Sequence, residues 1–359
     1  MRFSSEAGGA GGSAGAGGAA GAAETDLVVQ RLRDGMAGGV LSFPLTSFRD
    51  DDEDGIGSGI GSGDGSGGGL DLESYRAYLT GQLAPGPDAT APGAVFPACG
   101  TGEFFSLDED EYRAVVEATV EIADGRLPVV AGIGYGWAQA LRFARIAEEA
   151  GADALLVMPH YLVGAPQDGL VGQLRRIADG TRLPLIAYQR GQVAFTADSL
   201  RRIAEIPTVV GLKDGHSDLD RLQRLTLAAP DGFLFFNGAS TAEIQARAYA
   251  TVGVPAYSSA VHAFAPEIAS AFFTALRGDD EAVLTKLLRD FYVPLVELRD
   301  RVPGYAVSLV KAAARLRGLP VGRVRAPLTD PDDADLAELE AILDAGLALV
   351  GAPRRRATA

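Results

Sequence analysis

The chain has 359 residues, 47% of them hydrophobic, and a formal charge of -15 at neutral pH. That is enough apolar material for a substantial core in one large domain or two ordinary ones, and the acidic balance argues against a nucleic-acid binder, which needs clustered Lys and Arg. A single cysteine, Cys99, excludes an intramolecular disulfide framework and fits a reducing cytosol, so a cytoplasmic protein is expected.

Residues 1–25 are almost wholly Gly, Ala and Ser and lack the basic start and apolar centre of a secretory signal, so a disordered tail is expected there. No run of about 18 apolar residues occurs, which leaves no membrane-spanning helix and no membrane partner. After a short apolar segment, GVLSF (39–43), the acidic stretch DDDEDGIGSGIGSGDGSGGG occupies 50–69. Its glycines lack the Lys-Ser or Lys-Thr of a phosphate loop and no strand leads into them, so it reads as a flexible surface insertion.

Beyond it, apolar runs alternate with amphipathic helical patterns. The runs are GAVFPA (93–98), LPVVAGI (127–133), ADALLVM (152–158), LPLIAY (183–188), TVVGLK (208–213), GFLFF (232–236) and GVPAYSS (253–259), which with the first make eight. Continuously apolar strands each followed by a helix describe a parallel sheet with a covered outer side, and closure at eight gives an α/β protein of the (β/α)8 TIM-barrel type over 26–278. An open doubly wound sheet would use fewer strands and carry a Gly-rich fingerprint after the first, which this chain lacks. Helical patterns near 280–300, 303–317 and 333–347 exceed the barrel's ring and predict a C-terminal helical extension over 279–350, followed by a tail at 351–359.

In such barrels the chemistry sits at the C-terminal ends of the strands. The residues there are Thr46, Gly100, Thr101, Tyr161, Tyr188, Lys213, Gly238, Ser258 and Ser259. Lys213 stands out because the chain has only two other lysines, Lys286 and Lys311. An amine in a barrel mouth loses hydration, its pKa falls, and it becomes a nucleophile able to form a Schiff base with a ketone. Tyr188, ending the preceding strand, is placed to carry protons for it. The blander reading is a Lys213 paired with Asp214 or Asp218 in solvent and a Tyr188 that only caps the core. Gly100, Thr101 and Gly102 offer a cradle for a carboxylate, or simply a tight turn. His160, His216 and His262 all follow even-numbered strands, but no H-x-H pair or H-E-x-x-H helix accompanies them, and ordinary loop hydrogen bonding is expected instead of a metal.

The GTGE stretch at 100–103, Tyr188 ending strand five and GLK at 211–213 ending strand six resemble the Schiff-base lyases of the dihydrodipicolinate synthase and N-acetylneuraminate lyase superfamily. Within it, GTGEFFSL, PHYLVGAPQDGL, GLKDG, AYSSAV and GYAVSLVKAAARLRG with GRVRAPL are similar to the 5-dehydro-4-deoxyglucarate dehydratases, over roughly residues 27–349. The resemblance implies that Lys213 is the Schiff-base lysine, Tyr188 the proton carrier, and Gly100 and Thr101 the binders of the carboxylate beside the ketone. Ser258 and Gly238 would line the pocket, and Tyr161 takes the place of a tyrosine that reaches toward a neighbouring subunit, so a homo-oligomer, dimer or tetramer, is implied. It further implies a decarboxylating dehydration in glucarate and galactarate catabolism without metal, nucleotide or flavin, the imine serving as electron sink.

Departures bear on this. Synthases carry two threonines after strand two and an arginine five residues beyond the strand-five tyrosine, where this chain has Gly100-Thr101 and Val193. The dehydratases read Tyr-Asn-Arg where this chain reads Tyr188-Gln189-Arg190, which shifts the amide by one methylene. The alternatives are another lyase or an aldolase of the same superfamily acting on a 2-keto sugar acid, and a barrel that binds a sugar acid without turnover.

Overall fold

The computed structural model describes residues 14–50, 68–85 and 89–354. Most of the expected insertion, the first half of the expected N-terminal tail and the end of the C-terminal tail lie outside them. Helix α1 (Ala14–Gly38) begins inside the segment expected to be a tail. Alanine is the strongest helix former, and the helix is anchored at its far end, where Val28, Leu32 and Met36 pack into the interior cluster of the barrel.

All eight expected strands are present: β1 (Leu41–Ser42), β2 (Ala94–Val95), β3 (Val130–Ile133), β4 (Ala154–Val157), β5 (Leu185–Gln189), β6 (Val209–Asp214), β7 (Leu234–Asn237) and β8 (Ser258–Ser259). They pair in parallel as β2-β1-β8 and β3-β4-β5-β6-β7. Parallel bridges Val95 to Val129 and Asn237 to Tyr257 join the two sheets at both margins, so the strands close on themselves and the open-sheet alternative fails. The ladders of β1, β2 and β8 are short because Pro44, Pro97 and Pro255 flank them and a proline has no N–H to donate.

Leu41, Phe43, Phe96, Val130, Leu156, Ile186, Leu234 and Phe236 fill the interior of the barrel. The outer strand faces pack on α2 (Leu72–Leu83), α3 (Glu109–Ala123), α4 (Trp137–Glu149), α5 (Gln167–Ala178), α6 (Ala197–Ala204), α7 (Leu219–Ala228), α8 (Ala246–Thr251) and α9 (Pro266–Arg277). Beyond the ring, α10 (Glu281–Leu287) continues through a π-helical turn (Leu288–Tyr292) into α11 (Val293–Arg299), and α12 (Tyr305–Leu316) and α13 (Asp333–Val350) follow. The π-turn lies just before Pro294, which cannot donate to the helical ladder. Among the described residues no helix is long and apolar enough to cross a membrane.

Register decides which way the strand-end residues face. Tyr188 on β5, Lys213 on β6 and Phe236 on β7 are lateral partners, so all three share one side of the sheet, the interior. Their successors Gln189, Asp214 and Asn237 are partners too and face outward.

Candidate active site

Lys213 is 6% exposed and its amine points into the mouth of the barrel. A cavity of about 260 Å³ opens there, lined among others by Phe43, Cys99, Gly100, Thr101, Tyr188, Arg190, Gly238, Ser240 and Ser258. Burial pulls the Lys213 ammonium down to about 7, the Arg190 guanidinium acting in the same direction and Cys99 against it. At neutral pH roughly half of the amine is therefore uncharged.

The solvent ion pair considered for Lys213 does not form. Asp214 is buried on the outer side, where its carboxylate accepts from the Gln189 amide at 2.6 Å and from the Tyr249 hydroxyl. Asp218 caps α7 through the Arg221 N–H at 3.0 Å.

Tyr188 lies beside the amine, its ring centroid 4.6 Å from Lys213 Nζ. The phenol donates to the Gly238 carbonyl at 3.2 Å and accepts from Arg190 Nη1 at 3.2 Å. Burial raises its pKa and Arg190 partly offsets this, so the phenol is a protonated donor at neutral pH, held by a cation that would stabilise its phenolate. Arg190 Nη2 also donates to Ser240 Oγ at 3.0 Å.

Gly238 has a steric reason. A Cβ there would fall 2.4 Å from Lys213 Cε and 2.6 Å from Cγ, so any other residue displaces the lysine. Ser258 lines the cavity while its hydroxyl donates to the Asn237 carbonyl at 3.1 Å, and Ser259 faces the other way, donating to Glu243.

The loop after β2 is held from three directions. Thr46, outside the cavity, donates to the Gly102 carbonyl at 2.8 Å. Gly132 on β3 leaves room for the Ala98 carbonyl, which a Cβ would approach to 2.2 Å. Glu103 takes a left-handed backbone with φ of 53°, unfavourable for a residue with a side chain. Its carboxylate is fixed by Lys311 Nζ on α12 at 2.7 Å, both side chains 0% exposed, and by the Arg325 N–H at 3.0 Å. Gly100 and Thr101 are thereby presented to the cavity.

One expectation, that Tyr161 stands with the other strand-end residues at the mouth, needs correction. Tyr161 does not line the cavity: it is 71% exposed, in a loop turned outward by a left-handed Leu162 and by a contact of 2.5 Å between His160 Nε2 and the Val163 carbonyl. The Gln189 amide, facing outward, bridges Asp214 to the Phe195 N–H at 3.0 Å and is not available to a substrate. The three histidines do not meet: His216 contacts the Val193 carbonyl at 2.8 Å, and His262 is buried with no ring partner among the described residues, burial lowering its pKa to about 4. Among the described residues no three His, Cys, Asp or Glu side chains form a group suited to a metal ion.

Arg190, Phe43 and Cys99 had not been identified as site residues. Arg190 was within reach of sequence reading, two residues beyond Tyr188 where the chain leaves the strand.

Residues 66–346 match the model of the dihydrodipicolinate synthetase family. The chain belongs to that family. Its fold is shared with dihydrodipicolinate synthase from Bacillus clausii, 26% identical, with a TM-score of 0.73 over 88% of this chain and 98% of that one. Among curated relatives, a probable 5-dehydro-4-deoxyglucarate dehydratase 2 from Streptomyces avermitilis is 74% identical over 328 residues, 91% of this chain and 93% of the relative. A probable 5-dehydro-4-deoxyglucarate dehydratase from Paracidovorax citrulli is 40% identical, covering 88% of this chain and 97% of its own length. Membership accounts for the barrel, in whose mouth Lys213 lies buried beside Tyr188.

Proposed function

We propose that this chain is a decarboxylating dehydratase converting 5-dehydro-4-deoxy-D-glucarate to 2,5-dioxopentanoate, water and carbon dioxide, in the cytoplasm and within glucarate or galactarate catabolism. The observation that carries the reading is the amine of Lys213, poised near neutrality inside the barrel mouth with the Tyr188 phenol alongside, in a chain so similar to relatives bearing the dehydratase name. The neutral amine adds to the ketone, and loss of water leaves a protonated imine. The backbone N–H groups of Gly100 and Thr101 hold the neighbouring carboxylate. The imine acidifies the adjacent methylene; a proton leaves it, and the enamine expels the next hydroxyl as water, with Tyr188 as the proton carrier.

The conjugated iminium then accepts the electron pair of the carbon–carboxylate bond as carbon dioxide departs. Reprotonation and hydrolysis release the product and restore the amine. Arg190 orients the phenol from one side and the Gly238 carbonyl from the other.

Purified protein given 5-dehydro-4-deoxyglucarate should release one carbon dioxide per molecule consumed and leave 2,5-dioxopentanoate. A cleavage product instead would point to the aldolase alternative, and no turnover to the non-catalytic one. Tyr188→Phe keeps the ring and removes the hydroxyl; its turnover should fall by about 10²- to 10⁴-fold while borohydride still traps substrate on Lys213. A homo-oligomer, dimer or tetramer, belongs to this reading, supported by the exposed apolar tip Tyr161-Leu162-Val163. Light scattering that returned a monomer mass would remove that part.

A further inference from the structure

Burial favours the uncharged amine of Lys213, and the same burial penalises the cationic imine that follows. Capture of the ketone as a protonated imine consumes one proton and releases one water, and only the protonated imine is an electron sink, so its positive charge has to be kept. The carboxylate of the 2-oxo acid lies on the carbon side of that charge, and the protein has to offset it on the nitrogen side. Among the described residues no carboxylate lies within ion-pair distance of Lys213 Nζ: Asp214 is turned outward to Gln189 and Tyr249, Glu103 is held by Lys311, and Glu243 by Ser259. Apart from Cys99 and the Arg190 guanidinium, whose charge disfavours a second cation, aromatic rings surround the nitrogen. Nζ lies 3.8 Å from the centroid of Phe43, 4.6 Å from that of Tyr188 and 5.6 Å from that of Phe236. Phe43 cannot turn away easily, because it is stacked on Phe96 at 4.5 Å with an interplanar angle of 13°, and Phe96 leans on Phe236 at 5.6 Å.

We propose that the face of Phe43 is the electrostatic partner of the Lys213 iminium, its negative π-face taking the place of a counter-carboxylate. A ring suits this chemistry better than an acid. A carboxylate beside the amine would hold it as an ammonium and stop it attacking, whereas a quadrupole at van der Waals distance stabilises a cation more weakly and leaves the amine free to deprotonate. The inference rests on Lys213 forming a Schiff base, and on no other part of the proposed reaction.

The test replaces Phe43 in the full-length chain with a series of ring-fluorinated phenylalanines, from monofluoro to pentafluoro, which drain the π-face at nearly constant shape. The probe is pyruvate, which carries only the 2-oxo acid head of the proposed substrate. The fraction trapped on Lys213 by borohydride, followed by mass at fixed pH over a pyruvate titration, gives the imine dissociation constant. That constant should rise stepwise with fluorination, by about 5- to 30-fold across the series, and Phe43→Leu should weaken it by a comparable factor. A constant that stays level across variants with unchanged thermal unfolding overturns the role of Phe43 while leaving the Schiff base intact. If the unsubstituted protein gains no mass at Lys213 with either pyruvate or 5-dehydro-4-deoxyglucarate, the Schiff-base reading falls and this inference with it.

Discussion

Lys213→Met is expected to lose turnover by at least about 10⁴-fold while the protein remains folded. Methionine has nearly the length of the lysine stem and no amine, and the stem carbons run beside Gly238, so the aliphatic packing is retained. Among the described residues no hydrogen bond or ion pair is lost with the amine, and removing a group whose protonation burial already disfavours should cost the fold little. The comparison to make is carbon dioxide release and borohydride-dependent mass gain for the two proteins, together with their urea midpoints. In the unsubstituted protein the rate of imine formation should climb with pH through about 7 and then level, since the folded-state pKa is depressed and the neutral form accumulates above it. A methionine variant that still turned over would mean that the chemistry does not pass through this nitrogen.

The second large effect concerns stability. Lys311→Met is expected to destabilise the protein by about 3–5 kcal/mol, because it strands the buried Glu103 carboxylate with, among the described residues, only the Arg325 N–H as partner. Lys311 also lies 3.9 Å above the ring of Phe48, so its ammonium is enclosed on several sides although burial lowers its pKa to about 8. Pairing it with Glu103→Gln should restore most of the loss, since a neutral amide can still accept from the Arg325 N–H. Urea unfolding of the single and double variants reads both numbers. A single variant within about 1 kcal/mol of the parent would show that water reaches Glu103 and relieves the charge.

The barrel was legible because burial on both faces leaves an unmistakable pattern. Every one of the eight strands in the structure lies within or against an apolar run, whereas their lengths were not, since the prolines beside β1, β2 and β8 cut the ladders short. Lys213 and Tyr188 could be read as a pair because each closes a run with a polar atom. Phe43 could not, since an aromatic residue in an apolar strand carries no chemical signal until register brings it under a nitrogen. The Glu103 to Lys311 contact joins residues 208 positions apart, a distance over which pattern says nothing about proximity. Gln189 stands beside Tyr188 in sequence, yet adjacency in a strand means opposite faces, and its amide serves the outer side.

The helices after the eighth strand are not baggage. Ala306 and Val307 at the start of α12 form part of the cavity wall, and one turn further on Lys311 fastens the loop that presents Gly100 and Thr101. A chain trimmed at the last ring helix would keep its lysine and its tyrosine but lose a side of the vessel and the rivet beneath the Gly100-Thr101 loop. The smallest working catalyst of this architecture therefore extends well past the eighth β/α repeat.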